Sequence, residues 1–139
     1  MPTRAQVEKF VKSQRSIHLY KEIQKAFKDV LIKIPDKNYR NITKNLLVLS
    51  LHVPGGYGQA MFFPNPKGEF KIIEMPYYKK MPKDVMRYIV AHECGHINNG
   101  YLFPKKGETW ELLEDRADKF AEEWGFPKTE KIKEWYSKN

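Results

Sequence analysis

Apolar residues recur at helical spacing through the first quarter of the chain, from Ala5 to Ile34, with charged residues between them. This pattern predicts one long amphipathic helix, or two helices separated by a break near Ser13 to Ser16. The sequence at residues 35–38 (PDKN) is typical of a turn and is expected to end the helical region.

Short apolar segments separated by turn residues follow this region. Residues 45–53 (NLLVLSLHV) form a β-rich apolar run that suits an inner strand, and residues 59–63 and 70–75 predict two further strands. Residues 54–58 and 64–68 are rich in proline and glycine and predict the turns between the strands. Three consecutive strands with short links predict a small three-stranded antiparallel sheet.

Three helices are predicted in the second half of the chain. Helical spacing begins at Pro82, a residue tolerated in the first turn of a helix, and continues to Gly100, where glycine supplies a left-handed stop. A second helix is expected over residues 108–124 and a short terminal helix over residues 129–138. Helices segregated from a run of strands are typical of the α+β class. We therefore expect a single α+β domain over residues 1–139.

Composition limits the kind of protein that this chain can be. Its 139 residues are 41% hydrophobic and 14% aromatic, enough for one buried core but too few residues for two ordinary domains. No uncharged apolar run reaches the roughly 20 residues of a membrane helix. The N-terminus lacks an apolar signal core, and Cys94 is the sole cysteine. These features predict a protein of the reducing cytoplasm that does not span a membrane.

Charge is distributed unevenly along the chain. The net charge is +8, and the first 80 residues carry 15 Lys and Arg residues against 6 Asp and Glu residues. A basic surface of this kind can attract nucleic acid, but no nucleic-acid-binding motif accompanies it. A nucleic-acid partner is therefore an alternative that rests on charge alone, and a lysine-rich solvated surface explains the same charge.

Residues 92–96 (HECGH) place two histidines and a glutamate in the first of the three later helices. Residues four apart lie on one helical face, so His92 and His96 can present nitrogen atoms to one metal ion. Glu93, beside the first histidine, can reach a water molecule on that ion. Cys94 is interpreted as a small buried filler. Gly95 in mid-helix predicts that another backbone packs closely against it.

A catalytic zinc ion takes three protein ligands and keeps a fourth position open. No histidine follows His96, so the third ligand is expected to be a carboxylate from the acid-rich helix over residues 108–124. Glu114 and Asp118, four residues apart, flank the apolar stripe of that helix, whereas acids such as Glu111 face outward. Glu114 is therefore the predicted third ligand. Asp118 is expected to orient a ligand imidazole through its other ring nitrogen.

The motif HECGH, followed 18 residues later by EDRADKFA, resembles the paired motifs of the gluzincin clan of zinc metallopeptidases. In size and order of elements the chain resembles the minigluzincins, of the proabylysin and projannalysin type, and the peptidase core of the ImmA/IrrE group. The resemblance covers about residues 45–125. It implies a minimal zincin fold, in which an active-site helix is followed by a glutamate helix, and it is not specific to a substrate.

The residues and the resemblance together predict a zinc-dependent endopeptidase that binds one Zn²⁺ ion and acts on a peptide or protein substrate. Zinc lowers the pKa of its water toward 7, and Glu93 serves as the catalytic general base. An extended peptide is expected to lie against the third predicted strand. The residues of that strand are Phe70, Lys71, Ile72, Ile73 and Glu74. The candidates for a donor to the oxyanion are Tyr101, Tyr136, Tyr77 and His52.

Two other functions would use the same residues. A DNA-associated or repressor-cleaving protease of the ImmA/IrrE type would share the zinc chemistry and give the basic first 80 residues a role. A non-catalytic zinc-stabilised binding module would need no general base, so Glu93 argues against it. Residues 126–139 also have two interpretations. The zymogen-like character of the minigluzincins implies an inhibitory tail, whereas Ile132 and Trp135 predict a terminal helix packed on the core.

Overall fold

The computed structural model describes residues 1–50, 58–65, 68–76 and 80–139, with the backbone alone at 63–65, 68 and 69. These ranges form an α+β fold with six α-helices and a three-stranded sheet. The helices are α1 (Arg4–Ser13), α2 (Lys21–Leu31), α3 (Asp36–Thr43), α4 (Lys83–Asn99), α5 (Trp110–Glu123) and α6 (Glu130–Lys138), and the strands are β1 (Leu46–Leu49), β2 (Gln59–Asn65) and β3 (Gly68–Glu74). Most of the predicted turn at 54–58, part of that at 64–68 and the end of the first predicted strand lie outside the described residues.

The helical first quarter of the chain consists of two helices, with the break in the predicted place. Thr3 opens α1 with a capping box, in which Thr3 and Gln6 each accept a hydrogen bond from the backbone N–H of the other. A 3₁₀ turn over Arg15–Ile17 separates α1 from α2. The inner face of α2 contributes the fully buried Phe27 to the core.

The segment predicted as a turn after α2 is the start of α3 instead. Pro35 occupies the N-cap with an extended backbone (ψ 144°), and Asp36 lies in the first turn, where a carboxylate interacts favourably with the helix dipole. Tyr39 and Ile42 are buried on the inner face of the helix. The turn prediction is wrong because proline and aspartate are as typical of a helix start as of a turn.

The sheet is mixed, and the prediction of an all-antiparallel sheet is wrong. Its strand order is β1-β3-β2, so that β3 lies in the centre, parallel to β1 and antiparallel to β2. In register, Leu46 lies opposite Lys71 on one side of β3, and Gln59 lies opposite Glu74 on the other. Local patterns predict strands, but the order of strands in a sheet is decided by long-range pairing, and here β3 inserts between its predecessors.

A side chain closes the outer edge of β1. The buried Gln14 accepts a hydrogen bond from the Val48 N–H at 2.8 Å and donates from Nε2 to the Leu46 carbonyl at 3.2 Å. The Ser50 N–H donates to Ser16 Oγ at 3.4 Å. The Gln14 carboxamide therefore takes hydrogen-bonding positions that another strand would otherwise use.

The three helices of the second half lie where they are predicted, to within a few residues. Thr109 and Thr129 cap the N-termini of α5 and α6 with their side-chain oxygens. Gly100 (φ 90°) and Gly125 (φ 96°) adopt the left-handed conformation that ends α4 and follows α5. At 17 residues α4 is the longest helix described. No helix in the described ranges combines the length and apolar character needed to cross a membrane.

Residues 126–139 pack against the start of α4 through α6. Ile132 is buried in the core, and Lys131 Nζ lies 3.4 Å from the carboxylate of Asp84. The Tyr136 ring meets the Tyr88 ring edge to face, with the centroids 6.1 Å apart. These contacts are those expected of a terminal helix that packs on the core.

Candidate metal centre

A glycine sets the close spacing of α4 and α5. A Cβ atom built on Gly95 would lie 2.8 Å from the carbonyl oxygen of Ala117 and 3.0 Å from its Cα. These separations are shorter than van der Waals contact, so only glycine lets the backbone of α5 approach this near. The prediction of close backbone packing at Gly95 is confirmed. The same approach brings the acids of α5 within reach of the histidines of α4.

Three predicted ligand side chains converge on one point between these helices. Glu114 places one carboxylate oxygen 3.0 Å from His92 Nε2 and the other 3.0 Å from His96 Nε2. The two Nε2 atoms are 3.1 Å apart. One ligand atom from each residue lies within 4.8 Å of the others, and the group could hold a metal ion. Glu111, predicted to face outward, is exposed.

Asp118 lies one turn after Glu114 and holds the other side of the His92 ring. Its Oδ1 is 2.7 Å from His92 Nδ1. In a neutral ring this contact places the proton on Nδ1 and leaves the Nε2 lone pair directed at the ligand group. Tyr88 donates to the same Asp118 oxygen. Tyr88 is absent from the sequence prediction, although its place four residues before His92 puts it on the same helical face.

The close packing of these groups shifts their protonation equilibria. Burial lowers the pKa of His92, but hydrogen bonds to Asp118 and Glu114 outweigh it and raise the pKa to about 9. Hydrogen bonds from His92 and His96 hold the pKa of Glu114 far below its usual range, although its side chain is 58% exposed. Burial raises the pKa of Asp118, and hydrogen bonds from His92 and Tyr88 outweigh this and lower it. Two carboxylates, Asp118 and Glu114, thus flank the His92 ring, and the negative charge that they concentrate there favours a cation.

Glu93 lies beside this group and is only 6% exposed. Burial raises its pKa above the usual range, and the nearby His92 and His96 oppose part of that rise. The chain just before β2 passes close over it. A Cβ atom on Gly58 (φ +104°) would lie 2.9 Å from Ile89 Cγ2 and 3.6 Å from Glu93 Cγ, so a glycine is required there. Glu93 is thus a buried carboxylate that nonetheless borders open space.

That open space is a cleft of about 630 Å³. It is bounded by β2, by α4 and α5, and by the segments that follow each of these helices. The residues that line it are Gly58, Gln59, Ala60, Met61, Phe62, Tyr88, His92, Glu93, His96, Leu102, Phe103, Trp110, Leu113, Glu114, Lys128 and Tyr136. A cleft of this size accommodates several residues of an extended peptide.

The strand predicted to bind a peptide, Phe70–Glu74, belongs to β3, and the prediction is wrong. A strand that accepts a peptide needs one unpaired edge. β3 is the central strand and pairs with β1 along one edge and with β2 along the other. Within the described ranges β2 pairs on one side alone, and β2 is also the strand that lines the cleft.

The hydrogen-bonding directions show which β2 residues face the open edge. The N–H of Lys71 donates to the carbonyl group just before β1, so Lys71 faces β1. Backbone groups alternate in direction along a strand, so Ile72 faces β2, where it lies opposite Met61. Met61 therefore faces β3. Its neighbours Ala60 and Phe62 direct their backbone N–H and C=O groups to the other edge.

The four predicted oxyanion donors have different places in the structure. Tyr136 lines the cleft. The hydroxyl of Tyr101 is hydrogen-bonded instead to Glu108 and Arg116, and Tyr101 is not among the residues that line the cleft. Tyr77 and His52 lie outside the described residues.

No protein-family model matches the chain, and comparisons with curated proteins and with solved structures find no match. The fold and the geometry of the cleft are therefore the grounds on which a function can be proposed.

Proposed function

We propose that this protein is a zinc-dependent endopeptidase of the gluzincin type, with the minimal zincin fold that its motifs resemble. The observation that carries the proposal is the convergence of His92, His96 and Glu114 on the wall of a peptide-sized cleft. Structural zinc sites are closed by four protein ligands, whereas catalytic sites use three and keep one position for water or substrate. A three-ligand group beside a cleft and a buried glutamate suits the catalytic kind.

The donor set fits zinc. Imidazole nitrogen and carboxylate oxygen bind zinc at about 2.0–2.2 Å in tetrahedral geometry, which separates neighbouring ligand atoms by roughly 3.3–3.5 Å. The closest separations among His92, His96 and Glu114 are 3.0, 3.0 and 3.1 Å. Glu114 makes its two contacts through different oxygens, and one ligand atom from each residue lies within 4.8 Å of the others, so the three side chains need to shift around the ion to reach that geometry. The contact between Asp118 and His92 Nδ1 supports the assignment, because zinc-binding histidines are commonly oriented in this way.

A bound zinc ion supplies polarisation of a peptide carbonyl group and a lowered pKa for water. Glu93 takes the proton from the attacking water and delivers it to the leaving amine. Its raised pKa suits this exchange, because a general base works best when its pKa approaches the operating pH. Asp118 holds the His92 ring in one orientation throughout, and Tyr88 holds Asp118.

We assign peptide binding to β2. An extended substrate chain pairs with the outward N–H and C=O groups of Ala60 and Phe62, as a further strand of the sheet. Pro64 has no N–H, so the ladder of donors ends before it. A peptide held in this way passes across the cleft that Glu93 and Glu114 line.

The test of the proposed function compares the natural chain with Glu93→Gln. Both proteins, purified without added metal, are expected to contain about one zinc ion by mass spectrometry, because Glu93 is not a ligand. Hydrolysis of an unfolded protein is expected to fall by about 10²- to 10⁴-fold in Glu93→Gln, as for the loss of a general base. Glu111→Gln, at an exposed acid of the same kind on α5, is the matched control and keeps both zinc and activity.

Two results would overturn the proposal. Equal hydrolysis by the natural chain and Glu93→Gln would exclude Glu93 as the base. Full zinc content without any hydrolysis by the natural chain would assign a non-catalytic, zinc-stabilised module instead. A loss of zinc in Glu114→Ala, with Glu111→Ala unaffected, locates the third ligand.

A further inference from the structure

Two aromatic side chains stand exposed at the mouth of the cleft. Phe103 is 74% exposed and Trp110 is 60% exposed, and their rings meet edge to face with the centroids 5.7 Å apart. We call this pair the aromatic rim. Both residues line the cleft, together with the neighbouring Leu102 and Leu113. Covering an exposed aromatic surface with an apolar group lowers the free energy, because apolar area is removed from water. Two adjacent exposed aromatic rings in a cleft therefore indicate a binding surface.

The segment that carries the aromatic rim is held in a fixed shape. The Tyr101 hydroxyl donates to the Glu108 carboxylate at 2.7 Å and accepts a hydrogen bond from Arg116 at 2.8 Å. Arg116 in turn lies 2.7 Å from Glu108. The Lys105 N–H donates to Glu108 at 2.9 Å. These contacts join the beginning of the segment between α4 and α5, at Tyr101, to its end, at Glu108, and join both to Arg116 of α5. The segment that carries Phe103 is therefore held in place by hydrogen bonds and an ion pair.

The aromatic rim lies at one end of the ligand group. Trp110 begins α5 one turn before Glu114, and Phe103 follows the end of α4 that carries His96. Tyr88, one helical turn before His92 on α4, lines the other end of the cleft. A peptide along β2 therefore passes the aromatic rim on one side of the position where Glu93 acts.

We infer that the aromatic rim is a specificity subsite that takes a bulky apolar side chain, such as leucine or phenylalanine, of an unfolded peptide substrate. This inference rests on the proposed peptidase function. The four residues Leu102, Phe103, Trp110 and Leu113 offer no charged partner, so an acidic or basic side chain would lose hydration there without compensation. An alanine side chain would leave most of the aromatic surface uncovered. The substrate class is thus unfolded polypeptide with a large apolar residue next to the cleaved bond.

The first experiment measures selectivity in the natural chain. The bonds cut in an unfolded protein are mapped by mass spectrometry, and short peptides are made from them with leucine, alanine or aspartate at the position nearest the aromatic rim. The ratio of kcat/KM for the leucine peptide over the alanine peptide is expected to be at least about tenfold. In Phe103→Ser/Trp110→Ser the ratio is expected to fall toward one. Leu112→Ser, which removes an exposed apolar side chain of α5 outside the cleft lining, is the matched control.

The second experiment separates this inference from the proposed function. Binding of the same peptides, carrying a fluorescent label, to zinc-loaded Glu93→Gln is followed by anisotropy, and zinc content checks that each variant is folded. Tighter binding of the leucine peptide that is lost in the rim variant, without hydrolysis by the natural chain, would overturn the peptidase and keep the subsite. Hydrolysis with the same selectivity in the natural chain and in Phe103→Ser/Trp110→Ser would overturn the subsite and keep the peptidase.

Discussion

Gly95→Ala tests the geometry that joins the two halves of the candidate metal centre. The added Cβ would lie 2.8 Å from the carbonyl oxygen and 3.0 Å from the Cα of Ala117. Ordinary contacts between carbon atoms lie at about 3.5–4.0 Å, so α5 must retreat by roughly 0.5–1 Å. The backbone of Ala117 is not the end of a flexible side chain, and the displacement therefore moves the helix itself.

This substitution is expected to affect stability and zinc binding for different physical reasons. Alanine stabilises a helix interior by about 1 kcal/mol relative to glycine, whereas overpacking costs about 1–3 kcal/mol. The free energy of unfolding is therefore expected to fall by about 0–2 kcal/mol. Glu114 lies three residues before Ala117 on the displaced helix, and metal ligands tolerate deviations of only about 0.2 Å. Zinc affinity is accordingly expected to fall at least about tenfold, a loss typical of displaced ligand supports.

The assay is a competition titration of zinc against a chelator, combined with thermal unfolding of the zinc-free protein. Gly125→Ala is the matched control, because its Cβ would meet nothing within 4 Å. Its left-handed backbone (φ 96°) makes that change cost about 1–2 kcal/mol of stability without moving Glu114. Unchanged zinc affinity in Gly95→Ala, or a loss of the same size in Gly125→Ala, would refute the idea that the spacing of the helices positions Glu114.

Three further predictions concern the surroundings of the ligands. Asp118→Ala is expected to weaken zinc binding by about 10- to 100-fold in the same titration, whereas Asp115→Ala, at an exposed acid of α5, leaves it unchanged. Because the pKa of His92 is raised to about 9 and zinc must displace its proton, apparent zinc affinity should rise with pH up to about 9 and then level off; a constant affinity would contradict this. Removal of residues 126–139 exposes the core around the buried Ile132 and should lower the melting temperature. Faster hydrolysis of a short peptide by that truncated chain would instead show that the tail inhibits.

Local chemistry made much of the candidate site predictable from the sequence. The spacing of His92 and His96 puts two imidazoles on one face whatever surrounds the helix. Glu114 lies beside the apolar stripe of α5, which predicts that its side chain faces the helix against which α5 packs. Gly95 in mid-helix predicts a closely packed backbone, and the structure shows one at Ala117. These residues lie on helices with clear caps and stops, so their directions follow from helical geometry alone.

Features that depend on long-range contacts could not be predicted in this way. The short strands pair in the order β1-β3-β2, which no local pattern of Leu46–Leu49 or Gly68–Glu74 specifies, and for that reason an exposed edge was expected at Phe70–Glu74 and not at β2. The contact of Tyr88 with Asp118 and the aromatic rim depend on how α4, α5 and their connecting segment fold together. A single sequence carries the residue types for these contacts but not the pairing.

The closure of β1 by Gln14 has a consequence for how this chain behaves at high concentration. Unpaired strand edges invite pairing between molecules and so promote aggregation, and proteins usually block them. Gln14 blocks one edge with a single carboxamide, and the open edge of the described sheet then coincides with the cleft. A second copy that adds a strand to the sheet of described residues would therefore do so at Ala60 and Phe62. If β2 binds a peptide as proposed, self-association of this kind and peptide binding would exclude one another, and a bound peptide would also oppose aggregation.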